Sequence, residues 1–75
     1  MDKKRLKQLN DILIALKKCM SDLESLKDIE DDILDNTPEA LRETERYERS
    51  QAFSDNMGDA ISELNSAVDR LSENL

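Results

Sequence analysis

A chain of 75 residues admits one domain at most, and at that size a lone core is marginal without a staple or a partner. One cysteine and no histidine leave no intramolecular disulfide and none of the usual zinc-ligand sets. A net charge of -7 argues against non-specific attachment to nucleic acid, which lysine and arginine drive, and favours a basic partner surface.

Composition points to helices: 39 % of residues are charged, 3 % are aromatic, and there is one glycine and one proline. Strands would need more β-branched and aromatic alternation. No apolar run reaches the ~18 residues of a membrane span, and Met1-Asp2-Lys3-Lys4-Arg5 leads into a periodic helix rather than a signal-peptide core. With a single thiol the expectation is a soluble cytoplasmic protein.

In chain order, Asp2 is placed to cap helix one, predicted over about residues 2–34. With Leu9 at heptad position a, Leu16 and Leu23 also fall at a. Ile12, Cys19, Leu26 and Ile33 fall at d, and Leu13, Met20 and Leu34 at e. Three apolar positions per heptad exceed what a two-stranded seam uses. The repeat falters where Glu30 takes position a and Ile29 stands one residue early. Residues 35–43 carry Asp35-Asn36-Thr37-Pro38 and form the one break in the chain. Thr37 with Pro38 suits the start of a short helical turn, Thr44 suits the cap of helix two, and Leu41 is placed to plug the end of the core. Helix two, over about residues 44–74, sets Met57, Leu64 and Leu71 at a. It puts Phe53, Ala60 and Ala67 at d, and Tyr47, Ile61, Val68 and Leu75 at e.

The expected fold is therefore all-α, an antiparallel two-helix coiled-coil hairpin. Reversal at residue 40 sets Leu9 beside Leu71, Leu16 beside Leu64, Leu23 beside Met57, Ile12 beside Val68, Leu13 beside Ala67, Cys19 beside Ile61 and Met20 beside Ala60. Each pair of numbers totals 80. A rod of this shape cannot cover an a/d/e stripe by itself, so two hairpins are expected to dimerise into a four-helix bundle. Its core would comprise Leu9, Ile12, Leu13, Leu16, Cys19, Met20, Leu23, Met57, Ile61, Leu64, Val68 and Leu71. The alternative is a monomeric hairpin with a partly wet core. Residues 1–27 hold seven basic and four acidic side chains, residues 28–75 four basic and fourteen acidic. Antiparallel pairing lays the basic start against the acidic end, which favours orientation more than stability.

No cofactor, metal or catalytic residue is expected. Read as a calcium loop, Asp28, Glu30, Asp32, Asn36 and Glu39 have ligand spacing, but Ile33 stands where the turn glycine is needed. There is no histidine, no glycine-rich phosphate loop and no serine beside a base. Cys19, on the core face, reads as inert packing. Asp55, Asp59 and Glu63 form an i, i+4, i+8 row, with Asp69 and Glu73 beyond it and Asp31, Asp32 and Asp35 near the turn. Carboxylates so spaced are ~6 Å apart, on the order of the phosphate spacing along a nucleic-acid strand. That row is the candidate partner-binding surface, a duplex-like decoy; the plainer alternative is a solvated face. Ile14 falls away from the core, and Gly58, mid-helix, is read as a point of close approach by another backbone. Arg42, Arg46 and Arg49 alternate with Glu43, Glu45 and Glu48 as helix-supporting neighbours.

Asp35-Asn36-Thr37-Pro38-Glu39-Ala40-Leu41, then Thr44-Glu45-Arg46-Tyr47-Glu48, Ser54-Asp55-Asn56-Met57 and Asp59-Ala60-Ile61 resemble small acidic helical-hairpin proteins of Gram-positive bacteria and their phages. The pattern of that group reads D-N-x-P-E-x-L, a spacer, S-E-R-Y-E and D-N-L-x-x-A-I. The similarity covers roughly residues 30–70. Thr44 replaces the serine, Arg42-Glu43 fill the spacer, and Gly58 stands where a charged helix former is common. The resemblance implies a hairpin and a mobile-element context, and carries over no catalytic residue. The functional expectation is a non-enzymatic, phage or mobile-element protein that inhibits a host nucleic-acid-binding or defence protein, anti-CRISPR-like, by occluding a basic surface. The alternative is a structural coiled-coil spacer or assembly module.

Overall fold

The computed structural model describes residues 2–75. Helix α1 runs Lys3–Asp35, a 3-10 turn spans Glu39–Leu41, and helix α2 runs Glu45–Ser72; there is no strand among the described residues. The two helices pack antiparallel along their length as a hairpin of 59 × 15 × 13 Å.

Local chemistry sets the ends. The Asp2 carboxylate accepts from the Arg5 backbone N–H at 2.9 Å and so satisfies one of the orphan donors of the first turn. At the other end of α1 the Asn36 side-chain amide donates to the Asp32 carbonyl at 2.8 Å, and the Thr37 hydroxyl to the Ile33 carbonyl at 2.7 Å. Pro38 then has no N–H to continue the ladder and takes an extended ψ of 143°. Thr44 ties the restart together: its hydroxyl donates to the Leu41 carbonyl at 2.8 Å and accepts from the Tyr47 N–H at 3.2 Å.

Burial separates the apolar residues into two sets. Leu13, Met57 and Val68 are 2 %, 3 % and 4 % exposed and form the centre of the seam. Leu6, Leu9, Leu16, Met20, Leu23 and Leu34 on α1, with Tyr47, Ile61, Leu64 and Leu71 on α2, are half-buried beside them. Steps of three and four residues run through both series, interrupted between Leu23 and Leu34 and between Tyr47 and Met57, which is the two-position repeat of a coiled-coil seam. The heptad positions first lettered a and e therefore face the opposite helix.

Those first lettered d do not. Ile12 is 53 % exposed and Cys19 is exposed, which overturns the pairing of Ile12 with Val68 and of Cys19 with Ile61. Leu26, Ile33 and Phe53 are likewise exposed. A two-helix rod has room for two apolar rows per helix, so the third is left outside. Leu41 is 51 % exposed and does not plug the core.

The register is also corrected. Two cross-helix relationships mark the register: Ser54 Oγ donates to the Asp31 carboxylate, and a Cβ added to Gly58 would lie 3.3 Å from Lys27 Cε. The residue numbers in each total 85, not 80. The chain runs past the end of α1 through Pro38 and the 3-10 turn before it reverses, and each residue of delay moves the total by two. Leu16 comes level with Val68 and Leu23 with Ile61, about one helical turn from the expected partners.

Candidate functional site

Three features could meet a partner, and each is set by its position relative to the seam. The first is the polar stretch near the turn. Lys27, Glu30, Ser50 and Ser54 occupy seam positions where the apolar series lapses, and Ser54 is buried. Lys27 Nζ lies 2.7 Å from Asp31 Oδ2, on the carboxylate that also accepts from Ser54 Oγ. Hydrogen bonding from Lys27, and secondarily from Ser54, holds the Asp31 carboxyl below the usual carboxylate range, while the same bond to Asp31 pushes Lys27 up. Asp31, placed by sequence on the partner-binding surface, is half-buried and has both oxygens engaged inside the hairpin. Gly58 accommodates the Lys27 stem; the close approach at this glycine is by a side chain, not a backbone.

The second feature is the outer face of α2. Asp55, Asp59, Glu63, Asp69 and Glu73 are all exposed, as are Asp32 and Asp35 on α1. Asp55 to Glu73 covers ~27 Å of helix. The four ion pairs among the described residues, Arg5–Asp2, Lys7–Asp11, Lys18–Asp22 and Lys27–Asp31, all belong to the N-terminal arm. None includes an α2 carboxylate, although Asp55 is near enough for its charge to act on Lys27. The arginines near the turn do not pair with the glutamates beside them; Arg42 Nε instead donates to the Thr37 carbonyl at 3.2 Å. Residues 28–35 are helical, so the calcium-loop spacing is not a loop, and no cluster of three or more His, Cys, Asp or Glu among the described residues is arranged to hold a metal ion.

The third feature is the outside apolar row. An antiparallel pair has an approximate two-fold axis normal to the plane of the two helices, which keeps each side of the ribbon on itself. The row Ile12, Cys19, Leu26, Ile33 on α1 and the row Phe53, Ala60, Ala67 on α2 occupy equivalent positions, one residue before the seam. They therefore lie on the same side. Cys19 is near the level of Ala67, Leu26 of Ala60, and Ile33 of Phe53. Ile29 and Ala15 widen the α1 half. The opposite side carries Asn10, Lys17, Glu24, Asn65 and Ser72 and is polar. Ile14, 61 % exposed, stands apart from both sides of the seam. The sequence pairs Ile12 and Cys19 across the hairpin and also places them in the core of a four-helix dimer; the surplus of three apolar positions per heptad is the signal that one row lies outside the hairpin.

At the turn the face runs into an open groove of about 660 Å³ whose walls include Ile33, Pro38, Leu41 and Tyr47. No helix among the described residues is long and apolar enough to cross a membrane. Fold and faces together define an all-α helical hairpin with one acidic and one apolar exposed surface. Comparison with protein-family models, with characterised proteins and with solved structures gives no match.

Proposed function

We propose that the chain is a non-enzymatic protein-binding module, encoded by a phage or mobile element, that inhibits a host nucleic-acid-handling protein by covering its basic surface in the cytoplasm. The observation that carries this reading is the row Asp55, Asp59, Glu63, Asp69 and Glu73, exposed from Asp55 to the end of α2 with no ion-pair partner among the described residues. Unneutralised charge on a rigid helix steers association with a basic partner and displaces a phosphate backbone from it. The resemblance to phage-associated hairpins makes an RNA-guided defence nuclease the first target to test. The test uses a purified nuclease loaded with its guide and a target duplex. The chain is expected to slow cleavage at low salt, to lose potency as salt rises, and to lose it fully when Asp55, Asp59 and Glu63 are changed to lysine. Equal inhibition by that triple variant, or none at any salt, contradicts the reading.

The exposed apolar face favours a second reading, a spacer or assembly module. It predicts that substitution of Ile12 or Leu26 abolishes assembly while changes to the acidic row do nothing.

A further inference from the structure

The apolar side of the ribbon leaves a row of large hydrophobic side chains in water. Among the described residues only Leu13, Met57 and Val68 are buried hydrophobics, yet Ile12, Leu26, Ile29, Ile33 and Phe53 are exposed, all set on one side. We infer that this side binds a second copy of the chain, the two hairpins stacking face to face with α1 antiparallel to the partner's α1. The inference stands independently of the acidic-row reading, because Asp55, Asp59, Asp69 and Glu73 project from the outer edge of α2 and stay exposed in such a dimer.

The first argument is size. From Ile12 to Ile33 the face is ~31 Å long, and two helices are roughly 20 Å wide, giving about 600 Å² in projection. Corrugation raises the accessible area toward the ~800 Å² per partner that stable dimers bury.

Charge selects the occupant and its direction. Residues 2–20 carry six basic and two acidic side chains, whereas residues 21–36 carry one basic and seven acidic. A uniformly basic partner would be drawn to the turn half of α1 and repelled by its start. The partner that matches the whole length must present the same gradient reversed, and a second α1 laid antiparallel does so. The parallel arrangement of the hairpins instead stacks the acidic half of α1 on the start of the partner's α2, which holds Glu45, Glu48 and Asp55 against Arg46 and Arg49. That contact is repulsive and partly offsets the attraction between the basic start of α1 and the acidic end of the partner's α2, whereas α1 on α1 is attractive at both ends. A two-fold axis across the long direction of the ribbon gives the antiparallel arrangement and closes the assembly at two copies.

The experiment combines mass and distance on the full chain. Light scattering across a dilution series is expected to give twice the 8.6 kDa chain mass, with a melting temperature that rises with concentration. Ile12→Glu with Leu26→Glu is expected to leave a helical monomer, since both residues are exposed in the hairpin; Asn65→Glu on the polar side is expected to leave the dimer intact. Spin labels at Lys4→Cys in a Cys19→Ser background are expected more than ~40 Å apart, from the ~1.5 Å rise over the helix between them. A monomer at every concentration, a dimer indifferent to the double variant, or a larger assembly overturns the inference. Labels closer than ~20 Å overturn the antiparallel packing of α1 on α1.

Discussion

Ser54 Oγ donates to the Asp31 carboxylate across 23 residues of sequence, and this is the one side-chain hydrogen bond between α1 and α2 among the described residues. Lys27 holds the other oxygen of the same carboxylate. A charged, hydrogen-bonded layer in an otherwise apolar seam fixes which residues stand opposite, because a slip would strand its groups without partners. The hairpin register follows from this layer as much as from the leucines.

Titration of Asp31 tests that layer. Its carboxyl is held low in the folded chain, so the stability it contributes is present above the ordinary carboxylate pKa and is lost as pH falls through the depressed folded value. Lys27 is raised, so its contribution is present below the ordinary lysine pKa and is lost as pH climbs through the raised one. Carbon-detected NMR is expected to place the Asp31 midpoint below the ordinary aspartate value. Lys27→Met should move it up more than Ser54→Ala, since Lys27 is the larger cause. An unshifted midpoint in both variants would remove the layer from the account.

Adjacent residues should behave oppositely. Leu13→Ala opens a cavity in the seam and is expected to cost about 3 kcal/mol at any protein concentration, enough to consume much of the stability of so small a chain. Ile12→Ala, next in sequence but on the open face, is expected to change the stability of the isolated hairpin by less than about 0.5 kcal/mol and to weaken association. Denaturant melts at low and high concentration separate the two, and equal costs would show that the seam has been misplaced.

Gly58→Ala should stabilise the hairpin by about 0.5 kcal/mol. Alanine gains about 1 kcal/mol of helix propensity, and its Cβ would meet only Lys27 Cε at 3.3 Å, near the end of a flexible side chain that can shift by a few tenths of an ångström while keeping its bond to Asp31. A drop in melting temperature instead would mean that Lys27 is held in place.

Thr44→Ala removes the acceptor for the Tyr47 N–H and the donor to the Leu41 carbonyl. A loss of about 1 kcal/mol is expected, which in a chain of this length lowers the melting temperature by roughly 4–8 °C. Serine at this position should retain the stability, because it offers the same hydroxyl.

Helices, hairpin and caps were legible because their signals are local: Asp2 and Thr44 before apolar periodicity, and Pro38 between two periodic segments. The division of the apolar stripe was not. Ile12 and Leu13 are equally hydrophobic, and only the packing of two cylinders decides which of two neighbouring rows turns inward. Register was missed for a related reason. It depends on how far the chain travels through Glu39–Leu41 before reversing, and on the pairing of Ser54 with Asp31, which hydropathy does not weigh. Of the acidic positions, those on the outer edge of α2 could be placed by heptad, whereas the inward turn of Asp31 could not.

An isotope-filtered NOE spectrum of an equal mixture of labelled and unlabelled chain tests most directly whether one greasy row closes the hairpin while another joins two hairpins. Intermolecular cross-peaks are expected from Ile12, Leu26, Ile33 and Phe53, with those of Leu13, Met57 and Val68 purely intramolecular. Intermolecular peaks at Leu13, Met57 or Val68, or none anywhere, would contradict it.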